Sequence, residues 1–220
     1  MIKDHGELIS GLNKKCKIII DDNFLLKSCR ADEGRLLIYN NVGSETAINR
    51  LGGGEDAQVG VYNWFGDYYL YVEVKFVFAP EIPKGKKKVT KTLNQCSISI
   101  SVFKSLSDTI VQLFRAEWDD YNDTQACHPQ PHWHITSDTS VANTFEEYAE
   151  EVGEEGFMNI LNTEKDKIAP LKKFHFAMKG DWCEKNMTHS TPIESSTQVI
   201  NWFAGLLNSI RAELEYIDKH

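Results

Sequence analysis

The chain has 220 residues, of which 41% are hydrophobic, 25% charged and 11% aromatic. That composition excludes a collagen-like, mucin-like or largely disordered chain, and a disulfide-dense miniprotein. The net charge of −8 divides unevenly, +2 over residues 1–110 and −10 over residues 111–220, which argues against a general nucleic-acid coat protein and leaves room for a local basic site.

A chain this long buries enough apolar surface to need no staples, and without a Pro/Gly/Ser-rich linker or a repeat it reads as one domain over 1–220. The five cysteines are odd in number and form no C-x-x-C pair, which suits reduced thiols in a cytoplasmic setting. The start, MIKDHGELIS, lacks the apolar segment of a secretory signal. No run of about 18 apolar residues predicts a membrane span.

Residues 4–13 predict a short helix, with Leu8, Ile9 and Leu12 on one stripe. Lys17–Ile20 then reads as a strand, Asp21-Asp22-Asn23 as a turn, and Leu36–Tyr39 as a further short strand. Gly52-Gly53-Gly54 lacks the ending of a phosphate loop and reads as a break between elements. The clearest hairpin joins Gln58–Phe65 to Tyr68–Phe78 through Gly66-Asp67. Its second strand alternates Leu70, Val72, Val74, Phe76 and Phe78 with Tyr71, Glu73 and Lys75, so one face is buried and one is wet. Pro80 and Pro83 are expected to end it.

The loop Lys84–Lys91 carries five lysines. With no interleaved aromatic or Arg it is simplest as a solvated loop; its other reading is a substrate-binding grip on phosphate or nucleic acid through Lys86, Lys87 and Lys88. A second hairpin pairs Ser97–Phe103 with Thr109–Asp119. It sets Ile98, Ile100 and Val102 against Ser97, Ser99 and Ser101, and Arg115, Glu117 and Asp119 against Phe114, Ala116 and Trp118. Trp133–Thr136 is the next predicted strand, Thr144–Val152 a helix, and Lys172–Met178 a strand. Ser195 and Gln198 are spaced to cap a long helix to about Lys219, with a core stripe of Val199, Phe203, Leu206, Leu207, Ile210, Leu214 and Ile217. The fold class expected is α+β: a twisted antiparallel sheet built from hairpins, packed by a long C-terminal helix and shorter helices.

Chemistry concentrates in one phrase. Five of the seven histidines fall between 128 and 189, and three of them lie in Cys127-His128-Pro129-Gln130-Pro131-His132-Trp133-His134. In a strand, His132 and His134 project to one face, about 7 Å apart by strand rise. His175 follows in Phe174-His175-Phe176, its aromatic neighbours facing away from it. If the strands are neighbours, these imidazoles meet Arg115, Glu117 and Asp119. The catalytic candidates are His132, His134, His175, Glu117 and Arg115. The metal candidates are His128, His132, His134 and Asp119, a set of N and O donors suited to a divalent ion. The same groups suit metal-free acid–base chemistry, with Arg115 facing an anion. Ordinary structural pairing, of Arg115 with Glu117 or Asp119 and of a buried histidine with a carbonyl, is the plainer reading.

His134-Ile135-Thr136 resembles half of the 2H phosphoesterase signature, whose two H-x-[ST] strands flank a phosphodiester; at the second half, His175-Phe176-Ala177, alanine replaces the hydroxyl residue. The pair His132-x-His134 is also a little similar to a cupin's first motif, without its following acid and glycines. More broadly, Arg115-x-Glu117 followed by His128-Pro129 and His132-x-His134 looks like the layout of several uncharacterised bacterial families, some in toxin–antitoxin or defence loci. That resemblance spans about residues 110–136 and implies nucleic-acid hydrolysis or a defence context. Two functions are therefore expected: a His- or metal-dependent phosphodiester hydrolase, or a non-catalytic antitoxin, immunity or assembly module with structural histidines. In the second, the acidic helix 144–155 would meet a basic protein partner, since residues 138–155 hold seven acids and no Lys or Arg.

Overall fold

A computed structural model of the chain describes residues 2, 4–32, 35–50, 56–81, 90–106, 109–120, 130–135, 176–178, 193 and 195–219. In chain order the elements are helix α1 (His5–Ile19), strands β1 (Leu26–Asp32), β2 (Leu36–Asn41), β3 (Glu45–Arg50), β4 (Asp56–Phe65), β5 (Tyr68–Glu81), β6 (Thr90–Leu106), β7 (Thr109–Asp119), β8 (His132–Ile135) and β9 (Phe176–Ala177), then helix α2 (Ser196–Ile217). The protein is α+β, and the sheet runs β1-β2-β5-β6-β7-β8-β9 with every pair antiparallel. β4 pairs with the start of β5, and β3 pairs with β4. Among the described residues no helix is long and apolar enough to cross a membrane.

Several sequence expectations are corrected. Lys17–Ile20 is not a strand; α1 runs through Ile19 and is capped at Ile20. Its β-branched run favours a strand locally, but Leu8, Leu12 and Cys16 recur every fourth residue and are all fully buried, so the apolar stripe carries the helix on. Pro80 does not end β5: it pairs with Lys91 near the strand's end. The Phe78 amide donates to the Arg35 carbonyl, and Pro80, two residues on, turns its nitrogen to the same edge, where β2 pairing has already stopped at Val77. Ile217, expected in the core, is 61% exposed because it lies in the last turn of α2. β1 and β3 were not anticipated. Gly52–Gly54, the lysines at 84–88 and the expected helix at 144–152 lie outside the described residues, as does the 172–175 part of the expected strand 172–178.

The sheet has two unlike faces. Leu70, Val72, Val74 and Phe76 of β5, Ile98, Ile100 and Val102 of β6, and Ala116 and Trp118 of β7 form one core with α1 and α2. Val199, Phe203, Leu207, Ile210 and Leu214 are the buried stripe of α2, which starts with a capping box between Ser195 and Gln198. The helices meet closely at Gly11, where a Cβ would run into the Ile200 side chain. On the opposite face a smaller cluster joins Ala47 of β3 and Val61 of β4 to Tyr71 and Phe103. Here β3 and β4 fold over part of the sheet. Gly43 permits this turn, since a side chain there would collide with the Val61 backbone. Asn41 fills the gap where β4 and β2 divide the edge of β5: its Oδ1 accepts from the Val72 amide at 2.6 Å and its Nδ2 donates to the Gly60 and Leu70 carbonyls.

Candidate metal centre

Alternation along β7 puts Arg115, Glu117 and Asp119 on the face away from the helices, while Ala116 and Trp118 enter the main core. Antiparallel pairing then decides their neighbours. Arg115 lies opposite His134 on β8 and Ser101 on β6; Glu117 lies opposite His132 and Ser99. Paired residues share a face, so the two histidines, the carboxylate and the guanidinium meet at one place.

The donor atoms converge tightly. His134 Nε2 is 2.8 Å from His132 Nε2 and 2.8 Å from Glu117 Oε2, and His132 Nε2 is 3.5 Å from that oxygen. A proton shared by an imidazole serves one edge of this triangle at a time. An ion bonded to each atom at about 2.0–2.1 Å in tetrahedral geometry would set the donors about 3.3 Å apart, within the observed span. His132 is fully buried and His134 is 6% exposed, whereas the Glu117 side chain is 28% exposed and forms the open side of the cluster.

Arg115 completes the group from behind. Its Nε lies 2.9 Å from Glu117 Oε1 and its Nη1 donates to the Arg50 carbonyl at 2.8 Å. The Arg50 amide donates to Gln112 Oε1 at 2.6 Å, Gln112 Nε2 donates to Ser101 Oγ, and Ser101 Oγ donates to Asn49 Oδ1 at 2.7 Å. These buried bonds tie β3 to the sheet and fix the guanidinium. Burial pushes the Glu117 carboxyl up, but hydrogen bonds with His132 and His134 and the charge of Arg115 outweigh it and hold the group well below the usual carboxylate range.

Of the residues singled out from sequence, the fold brings together Arg115, Glu117, His132 and His134. Asp119 stands apart: its amide donates to Gln130 Oε1 and its Oδ2 accepts from Gln130 Nε2 at 2.6 Å, so it joins β7 to the residues leading into β8. His128, His175, Lys86, Lys87 and Lys88 lie outside the described residues. Asn49, Arg50, Gln112 and Gln130 escaped the sequence reading. Gln112 was masked by a register shift between Val102 and Phe103, which pairs Gln112 with Phe103 and turns it to the face of Arg115. Ser99 has a buried Oγ with no hydrogen-bond partner among the described residues, directly opposite Glu117. No protein-family model, curated protein or solved structure matches the chain.

Proposed function

We propose that the chain is a divalent-metal-dependent hydrolase of phosphodiesters, RNA or nucleotide, with His132, His134 and Glu117 holding the ion. The observation that carries this reading is the convergence of three lone-pair atoms, two imidazole nitrogens and a carboxylate oxygen, within 4.8 Å of one another. Two histidines and one carboxylate are a known catalytic ligand set, for zinc and for non-haem iron, because three protein ligands leave positions open for water or substrate. The bound ion would supply Lewis-acid chemistry. The protein's own residues do the rest: His132 and His134 would present Nε2, and the Arg115 guanidinium lies beside the second oxygen of Glu117. In this reading Lys86, Lys87 and Lys88 draw in the polyanion, and His175 supplies a further imidazole.

Metal content of the purified protein, measured by mass spectrometry, tests the reading. About one ion per chain is expected, with loss of that ion and of RNA hydrolysis in a folded His132→Ala/His134→Ala variant. Metal-free wild type that hydrolyses neither RNA nor cyclic phosphates refutes it.

One observation favours a second reading. Glu117 already has Arg115 on one oxygen and both histidines on the other. A closed polar array of this kind suits a non-catalytic antitoxin, immunity or assembly module, in which 144–155 meets a basic partner. The same measurement separates the two, since that module would fold and bind without metal.

A further inference from the structure

We propose that Arg115 tunes the open metal position for an oxyanion, the chemistry of a phosphate group; this rests on the metal reading above. Two neutral imidazoles add no charge to an ion, so Glu117 is the one anionic ligand of the trio. Its charge is matched in advance, because Arg115 Nε lies 2.9 Å from Oε1. Nor can the guanidinium swing aside: Arg115 is 3% exposed and is pinned to the Arg50 carbonyl, whose own amide is held by Gln112. Among the described residues the nearby carboxylates are engaged elsewhere, Asp119 with Gln130 and Glu73 with the Tyr71 hydroxyl. A divalent ion here keeps a charge its ligands do not balance. In a site of low exposure that charge favours an anion over a neutral ligand.

Ser99 points the same way on independent grounds. It flanks Glu117 on the side opposite His132, and its buried hydroxyl has no partner among the described residues. A hydroxyl in that position is a donor without an acceptor among the described residues, and an oxyanion within its reach would supply one. Arg115 thus acts through Glu117 as a positioning residue, and Ser99 is the neighbouring hydroxyl on the strand beside Glu117.

Visible absorption of the Co2+-loaded full chain, titrated with inorganic phosphate, tests this. Arg115→Gln should retain Co2+ but bind phosphate about tenfold more weakly, with much of the loss restored in Arg115→Lys, which keeps the charge. Ser99→Ala should also bind phosphate more weakly with Co2+ affinity unchanged, and equal phosphate affinity there overturns the hydroxyl's part. Equal phosphate affinity in wild type and Arg115→Gln overturns the proposal. If Arg115→Gln does not fold, wild type alone decides, because phosphate must then compete successfully against neutral imidazole; preference for imidazole overturns the proposal. Failure of wild type to take up Co2+ is a separate result and removes the metal reading itself.

Discussion

The two faces of the central sheet are held by different forces. Under α1 and α2 the sheet presents Val72, Val74, Phe76, Ile98 and Ile100, and contact there is non-directional burial. Under β3, beside the small apolar cluster of Ala47, Tyr71 and Phe103, it presents Ser101, Gln112 and Arg115, and contact at these residues depends on hydrogen bonds of fixed geometry. An apolar face tolerates exchange of similar shapes. A buried polar face loses stability for each donor left unsatisfied, so the bonds it makes hold side chains in set directions. The cluster of Glu117, His132 and His134 lies on the second face, beside the part that β3 covers. The converging donor atoms of this cluster lie where directional bonds, rather than bulk burial, set the positions.

The largest expected effect belongs to the helical face. Phe203 is fully buried in the α2 stripe. Phe203→Ala should lower unfolding free energy by about 3–5 kcal/mol through lost burial and a residual cavity. Urea unfolding measures this, and metal uptake by the folded fraction should be unchanged. Loss of metal binding without loss of stability would erase the division between the faces.

The next effect is specific to the polar face and depends on pH. The Glu117 carboxyl titrates below its ordinary value of 4.5 in the folded chain. A depressed carboxylate contributes stability that is fully present above the unfolded value and lost as pH falls through the folded one. Metal-free wild type should therefore weaken as pH drops below about 5. Glu117→Gln removes that contribution, so it should be less stable at neutral pH and its stability should vary less across the acid range. Urea midpoints at about pH 7, 5 and 3, with chelator present, compare the two. Parallel pH curves would mean that Glu117 is not held by its neighbours.

Much of this second face was legible in the sequence, for a definite reason. Period-two alternation assigns Arg115, Glu117 and Asp119 to one side of a strand whatever the fold, and His132-x-His134 likewise. Pairing is another matter. That β8 lies against β7, with Glu117 opposite His132, depends on contacts between residues far apart in sequence that no local pattern encodes. Asp119 illustrates the gap: it shares the face of Glu117, yet Gln130 takes its carboxylate. β3 was hidden for the opposite reason. Glu45-Thr46-Ala47-Ile48-Asn49-Arg50 buries Ala47 and Asn49 and leaves Ile48 48% exposed, which inverts the usual sense of hydrophobic patterning. Lys17–Ile20 misled because local β preference lost to a helical stripe that buries Cys16.

The smallest expected effect tests whether β3 is a latch. Gln112 joins β7 to β3 by accepting from the Arg50 amide at 2.6 Å and donating to Ser101. Gln112→Ala leaves that amide without this acceptor and should lower stability by about 1–3 kcal/mol. Ser101 keeps its bond to Asn49, and Arg115 keeps the Arg50 carbonyl, so the sheet itself should persist. The loss should instead be local: hydrogen exchange of β3 amides, Arg50 above all, should quicken while amides of β5 and β6 under the helices stay protected. Such a pattern would make the β3 cover a separately opening unit that steadies Arg115 and, through it, Glu117. Uniform acceleration across both faces would instead mean that the two faces open together, and that the anchoring of Arg115 cannot be adjusted without loosening the apolar core.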